Sequence, residues 1–121
     1  MAKRVLVADD NPLIRKALCK LFEVEENYDI CSEATNGQEA IDLALKYSPD
    51  LIIMDLGMPV VNGLEAAHEL KKMLPHVPII LFTQHGETGT TLFETNPSID
   101  RAVPKSDPGT LMKCVRTLAP A

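Results

Sequence analysis

Short apolar runs alternate along the chain with segments in which apolar residues recur every three or four positions. Residues 5–8, 51–54 and 77–82 are almost wholly apolar. A strand with one face in water alternates apolar and polar residues, so these runs predict strands that are buried on both faces. Residues 28–34 are interrupted by polar side chains, which predicts a strand at the edge of the sheet.

The periodic segments predict amphipathic helices that follow the strands. Apolar residues at helical spacing occupy residues 13–22, 40–45, 64–74 and 111–118. Arg15 and Lys16 fall on the polar side of the first segment. Pro12 suits the first turn of that helix, and Pro75 ends the third helix.

The region between residues 86 and 103 is the least regular part of the chain. Residues 86–100 contain several threonines and no clear helical stripe, which predicts a short or mobile fourth helix. Residues 99–103 predict a fifth strand, although Asp100 and Arg101 weaken its apolar pattern.

Strands that alternate with helices predict right-handed crossovers and a parallel sheet covered by helices on both faces. For 121 residues, the economical arrangement is a flavodoxin-like doubly wound α/β fold. We expect five parallel strands in the order 2-1-3-4-5 with five helices, forming a single domain over residues 1–121.

Charge, apolar run length and cysteine content limit the kinds of partner and the cellular location that we expect. The net charge is −5 and the basic residues are scattered, so we expect no direct contact with nucleic acid. No apolar run reaches membrane-spanning length. Cys19, Cys31 and Cys114 are odd in number and lie in apolar patterns, which favours buried reduced thiols and a cytoplasmic location.

Polar residues follow the strands at one common edge of the predicted sheet. Asp9 and Asp10 follow the first strand, Asp55 follows the third, Thr83 ends the fourth, and Lys105 comes just after the fifth. In open α/β sheets, ligands bind outside the carboxyl ends of the strands. The sequence therefore predicts a functional site at this edge.

Charge repulsion indicates what that site holds. Carboxylates about 4–5 Å apart repel one another by several kcal/mol per pair at an effective dielectric constant near 20. The cluster must either keep a proton or hold a cation. Acidic oxygens, together with the backbone carbonyl of Gly57, point to Mg²⁺ that keeps several water ligands.

Each residue also has an ordinary interpretation when taken alone. Asp9 suits a helix cap, Lys105 a solvated surface charge, and Thr83 a strand position. A phosphate-binding loop for a nucleotide or flavin is another use of this fold. It requires glycines and hydroxyl groups after the first strand, where this chain has two acids.

The combination resembles the receiver domain of two-component response regulators over essentially the whole chain. The motifs are the acid pair Asp9-Asp10, the loop Asp55-Leu56-Gly57-Met58-Pro59, Thr83 and Lys105. The run from Val103 to Ser106 is also similar to receivers that precede helix-turn-helix output domains.

The resemblance implies that Asp55 is the phosphoacceptor and takes its phosphoryl group from a histidine kinase or a phosphotransfer protein. Asp10 would ligate Mg²⁺ directly, Asp9 would support it partly through water, and the Gly57 carbonyl would complete the protein ligands along with Asp55. Lys105 would pair with a phosphoryl oxygen.

Thr83 would donate a hydrogen bond to the phosphoryl group and thereby switch a surface that binds a downstream output domain or protein. By this resemblance the chain is a signalling phosphoacceptor that assists its own phosphotransfer and dephosphorylation, and is not otherwise an enzyme. Whether it is a stand-alone regulator or part of a longer chain stays open.

Two departures from the family pattern keep open the first of two rival functions. Ala102 occupies the position of the usual aromatic residue, and Gln84 the position of a usually small residue. One rival is a receiver-like docking module that works without phosphorylation. Another is an aspartate-nucleophile phosphohydrolase, but those enzymes place the nucleophile after the first strand, with a second acid two residues further on.

Overall fold

The computed structural model describes residues 2–84 and 96–121 of the chain. The strands are β1 (Lys3–Ala8), β2 (Tyr28–Ala34), β3 (Leu51–Met54), β4 (Ile79–Thr83) and β5 (Arg101–Pro104). The helices are α1 (Pro12–Glu23), α2 (Gly37–Tyr47), α3 (Gly63–Met73) and α4 (Pro108–Leu118). The predicted helix within residues 86–100 falls mostly on residues 85–95, which lie outside the described part of the chain.

The five strands form one sheet in the order β2-β1-β3-β4-β5, and every neighbouring pair is parallel. This confirms the predicted α/β class and strand order. β2 pairs only with β1 and therefore lies at an edge, as its interrupted pattern indicated. The central strands β1, β3 and β4 are almost completely buried.

Two apolar layers cover the two faces of the sheet. Leu6 and Ile52 belong to a cluster with α2 and α3, whereas Val5 and Ile53 belong to a cluster with α1 and α4. Successive strand residues point to opposite faces, so each buried strand contributes to both clusters. This explains why the central strands read as continuous apolar runs.

The first and last helices each begin with a capping side chain that is followed by a proline. The side chain of Asn11 accepts a hydrogen bond from the Leu13 amide before Pro12 opens α1. Asp107 caps α4 in the same manner, ahead of Pro108. Both caps satisfy amides that a helix leaves unpaired at its N-terminus.

β5 begins later than the sequence predicted. The expected strand covered residues 99–103, whereas the observed one runs from Arg101 to Pro104. The Asp100 carboxylate accepts hydrogen bonds from the Ile79 amide at 2.7 Å and from the Lys71 ammonium at 2.8 Å. Because Asp100 is engaged through its side chain, the regular strand starts one residue after it.

Two compositional expectations are refined by the structure. Cys19, Cys31 and Cys114 are free thiols, but each is partly buried and not fully buried as expected. Among the helices of the described residues, none has the length and apolar character needed to cross a membrane.

Candidate functional site

The parallel sheet brings the predicted residues to one edge by its backbone pairing. The Asp55 amide donates to the carbonyl of Ala8 at 2.9 Å, which fixes the end of β3 beside the end of β1. The Lys105 amide donates to the carbonyl of Thr83 at 2.9 Å, across the ends of β4 and β5. Thr83 is paired with Pro104 in the parallel register, so the next amide, that of Lys105, is the one that faces the Thr83 carbonyl.

Three carboxylates meet at this edge. Asp9, Asp10 and Asp55 each offer one oxygen, and these atoms lie within 4.8 Å of one another. Asp9 and Asp55 are buried, whereas Asp10 is exposed. The structure thus brings together the three acids that the sequence assigned to metal binding.

Lys105 is shared between two of these acids. Its ammonium nitrogen lies 2.7 Å from Asp9 Oδ2 and 3.5 Å from Asp55 Oδ2. Only 9% of its side chain is exposed. The sequence predicted Lys105 at this edge, but not that Asp9 would be its closer partner.

The turn that carries Asp9 is held by further contacts. Asp9 Oδ1 accepts a hydrogen bond from the Asn11 amide at 2.9 Å. The backbone carbonyl of Asp9 accepts one from Arg15 Nη1 at 2.8 Å. Sequence reasoning missed Arg15 because its position in α1 placed it on the polar face, among other basic residues.

Asp55 carries a perturbed carboxyl group. Burial raises the pKa of Asp55, and the nearby Asp9 carboxylate raises it further, while Lys105 and a hydrogen bond from the Leu56 amide oppose the shift. The net direction is upward, chiefly because the group is buried, and the three neighbouring carboxylates outnumber the one ammonium that contacts them. Carboxylate oxygens are the ligands that Mg²⁺ prefers, and an added cation relieves this imbalance.

A cavity of about 270 Å³ opens in front of these residues. It is polar, and Asp55 lies in its wall with Lys105 beside it. The full lining comprises Asp10, Asn11, Asp55, Gly57, Thr83, Gln84 and Lys105. Asp9 alone among the predicted site residues lies behind this lining, where it supports Lys105.

The loop that follows Asp55 packs closely against its own strand end. A Cβ atom on Gly63 would collide with the Asp55 carbonyl oxygen, so glycine is required where α3 approaches the strand. Gly57 differs, because a Cβ atom there would meet nothing within 4 Å. Val60 adopts a left-handed conformation, with φ of 69°, although it is β-branched and 80% exposed.

The two departures from the family pattern occupy different surroundings. Gln84 is exposed and lines the cavity mouth next to Thr83. Ala102 lies in β5 and packs against the apolar cluster that contains α2 and α3.

Comparison with known proteins identifies the family of this chain. A family model described as the response regulator receiver domain matches residues 5–116. The chemotaxis protein CheY of Halobacterium salinarum is 40% identical over 87 residues, covering 72% of this chain and 71% of that protein.

A second relative is longer than this chain. The transcriptional regulatory protein PdtaR of Mycobacterium tuberculosis is 45% identical over 84 residues, covering 68% of this chain and 40% of PdtaR. Across the first curated relatives that it matches, the chain spans between 23% and 71% of their length.

Solved structures share the complete fold. The response regulator TrrA from Thermotoga maritima, solved in complex with Mg²⁺-BeF, has a TM-score of 0.82 and 36% identity. The match covers 96% of this chain and 98% of TrrA.

Proposed function

The chain belongs to the response regulator receiver family, and we propose that it is the phosphoacceptor of a two-component system. In this proposal, Asp55 takes a phosphoryl group from the phosphohistidine of a histidine kinase or a phosphotransfer protein. A carboxylate oxygen of Asp55 forms the new bond to phosphorus while the bond between phosphorus and the imidazole nitrogen breaks. The electron pair of the broken bond stays on the imidazole, and Asp55 becomes an acyl phosphate.

The observation that carries this proposal is the position of Asp55 in the wall of the cavity, facing a shared lysine. Asp55 Oδ1 accepts the Leu56 amide at 2.9 Å, and Oδ2 lies 3.5 Å from the Lys105 ammonium. Two contacts thus orient the carboxyl group before any donor arrives. Phosphoryl transfer depends chiefly on such positioning and on charge neutralisation.

Asp10, Asp55 and the Gly57 carbonyl are the residues proposed to hold Mg²⁺, with Asp9 contributing partly through water. The donor set supports this, since two of its three clustered carboxylates line one polar cavity and the third, that of Asp9, lies behind them. When bound, Mg²⁺ supplies positive charge that offsets the acids and the incoming phosphoryl oxygens. Asp10 is the exposed member, and Asp9 is already bonded to Lys105 and to the Asn11 amide.

Lys105 and Thr83 are proposed to hold the phosphoryl group. The Lys105 ammonium would pair with one phosphoryl oxygen, and the Thr83 hydroxyl would donate a hydrogen bond to another. A hydrogen bond to a charged group contributes about 1.5–3 kcal/mol, which shifts a two-state equilibrium by roughly one to two orders of magnitude. That shift is large enough to change the affinity for an output domain or protein.

A protein donor has an apolar groove to contact beside the site. A groove of about 230 Å³ lies between α1 and the start of α4, and Lys105 forms part of its lining. Its apolar members are Ile14, Ala17, Leu18, Leu21, Phe82 and Pro108. This surface supports a protein donor, because a small phosphodonor needs no contact outside the cavity.

The experiment that tests the proposal is intact mass measurement after incubation with Mg²⁺ and acetyl phosphate. We expect one added phosphoryl group on the parent protein and none on Asp55→Asn or after chelation of the metal. Asp29→Asn is the matched control, since Asp29 is an exposed acid on the edge strand β2. It should be labelled like the parent.

The outcome also separates the rival functions. If folded protein takes up no phosphoryl group from acetyl phosphate or from a histidine kinase, the docking module that works without phosphorylation replaces this proposal. Label that persists on Asp55→Asn would contradict the assignment of the acceptor. Sustained turnover of a small phosphate ester would instead indicate a phosphohydrolase.

A further inference from the structure

We propose that Arg15 is a positioning residue that orients the Asp9–Asp10 turn and thereby sets the affinity of the site for a divalent cation. This inference rests on the proposed function, because it concerns the same metal site. Arg15 does not line the cavity, and its role is to act on the cation through the two acids.

Arg15 joins three parts of the fold. It lies in α1, its Nη1 donates to the Asp9 carbonyl at 2.8 Å, and its Nε lies 3.3 Å from Glu33 Oε1 near the end of β2. Its side chain is only 18% exposed. A guanidinium group is planar and presents several donors in a fixed arrangement, so two anchored nitrogens fix its plane.

The Asp9 carbonyl controls the geometry of both acids. That carbonyl belongs to the peptide group that links Asp9 to Asp10, and a peptide group is rigid and planar. Holding its oxygen therefore restrains the plane of the peptide group from which the Asp10 backbone continues. Asp10 depends on this more than Asp9, because Asp10 is exposed and has little packing to orient it.

A second candidate role for Arg15 predicts the opposite change in cation affinity when Arg15 is substituted. Arg15 carries positive charge close to the acidic cluster, and positive charge repels a cation. If charge alone mattered, removal of the guanidinium would strengthen cation binding. If positioning dominates, as we propose, removal weakens binding despite the lost repulsion. The sign of the change therefore distinguishes the two roles.

The test is calorimetric titration of the whole chain with Mg²⁺ at constant ionic strength. We expect Arg15→Gln to raise the dissociation constant about tenfold, as is typical when a residue that orients a metal ligand is lost. Arg15→Lys keeps the charge but offers a single point donor, so its dissociation constant should lie between those of the parent and Arg15→Gln.

Arg116→Gln is the matched control. Arg116 also pairs with a glutamate, through Nη2 at 2.6 Å from Glu25 Oε1, but it lies in α4 and borders a different cavity near Tyr28. Its substitution removes the same charge without touching the turn. We expect no change in Mg²⁺ affinity.

A further measurement separates positioning from a general loss of structure. Labelling by acetyl phosphate should slow in Arg15→Gln at low Mg²⁺ and return to the parent rate at saturating Mg²⁺, which a damaged fold would not do. Unchanged or tighter Mg²⁺ binding by folded Arg15→Gln would overturn the inference. If that variant fails to fold, Arg15→Lys with parent affinity would overturn it equally.

Failure of the inference is distinguishable from failure of the proposed function. A parent protein that binds no Mg²⁺ and takes up no phosphoryl group overturns both. A parent that binds Mg²⁺ and is labelled, while Arg15→Gln does the same at equal Mg²⁺ concentrations, overturns the role of Arg15 alone.

Discussion

Two lysine–carboxylate clusters lie at the two ends of β5, and they differ in how their charges are matched. Before β5, the Lys71 ammonium bonds Asp100 Oδ2 at 2.8 Å and the Val77 carbonyl at 2.9 Å. After β5, the Lys105 ammonium bonds Asp9 at 2.7 Å and lies 3.5 Å from Asp55. We call them the balanced cluster and the unbalanced cluster.

The balanced cluster joins α3 to the starts of β4 and β5, and its single carboxylate is paired with a single ammonium. The Asp100 carboxylate meets one ammonium and also accepts the Ile79 amide at 2.7 Å. The unbalanced cluster gathers three carboxylates around one ammonium. The comparison shows that the two ends of β5 differ in their ratio of acid to base, and that the excess of acid lies at the end where the phosphoacceptor site is proposed.

The largest expected effect comes from breaking the balanced cluster. Asp100→Ala removes the acceptor of both the Lys71 ammonium and the Ile79 amide. We expect the free energy of unfolding to fall by about 2–3 kcal/mol, as for lost hydrogen bonds to a charged group. Urea denaturation measures this, with Asp29→Ala as the control on an exposed acid. Equal effects of the two substitutions would show that the cluster is not structural.

Breaking the unbalanced cluster should instead stabilise the protein. Without Mg²⁺, Asp55→Asn removes a charge that burial and the nearby Asp9 carboxylate both disfavour, so it should raise the free energy of unfolding at pH 7. Asp55→Asn keeps the size of the side chain, so packing changes little. A loss of stability would contradict the charge imbalance.

The pH dependence gives the same prediction a second readout. The pKa of Asp55 is raised in the folded state above the 3.8 of an unperturbed carboxyl group. Its protonation therefore stabilises the fold below pH 3.8, and this contribution is lost as the pH rises through the folded pKa. The difference between parent and Asp55→Asn should accordingly grow as pH increases over that window.

Substituting each lysine in turn should have a smaller effect, which is measured as a change in Mg²⁺ affinity. Lys105→Met frees Asp9 from its ammonium, so Mg²⁺ should bind about threefold to fivefold more tightly by calorimetry. Lys71→Met is the matched substitution in the balanced cluster and should leave Mg²⁺ affinity unchanged. Weaker Mg²⁺ binding by Lys105→Met would mean that Lys105 orients the acids more than it competes for them.

The smallest effect is expected at Gly57. Its carbonyl is a proposed ligand, but a Cβ atom there meets no neighbour and its φ is not positive. Gly57→Ala should therefore change the free energy of unfolding by less than about 0.5 kcal/mol and leave Mg²⁺ affinity within about twofold of the parent. A larger loss of affinity would show that the loop needs the freedom of glycine in order to bind.

The sequence predicted the fold well where apolar patterning is strong. The runs at β1, β3 and β4 have no polar interruption, so burial on both faces was the only consistent interpretation. The interrupted pattern of β2 indicated its edge position correctly. The start of β5 was wrong by two residues, because Asp100 is held by side-chain contacts that no local pattern reveals.

The sequence predicted which residues meet at the site, but not how they pair. Strand order alone brings Asp9, Asp55 and Lys105 together. Lys105 lies closer to Asp9 than to Asp55 because of the directions that the side chains take. The hydrogen bond from Arg15 to the Asp9 carbonyl depends on a contact between a helix and a turn. The difference between a contact of 2.7 Å and one of 3.5 Å has no signature in residue spacing.

The Lys105 amide donates a hydrogen bond to the Thr83 carbonyl. The exchange of this one amide proton with solvent therefore reports on the backbone beside the site. This amide links the carboxyl ends of β4 and β5, the strands that lead to Thr83 and Lys105. Its rate of deuterium exchange measures how often those strand ends separate. We expect a ligand that contacts both the Thr83 hydroxyl and the Lys105 ammonium to slow the exchange of that proton, because it would hold the two strand ends together.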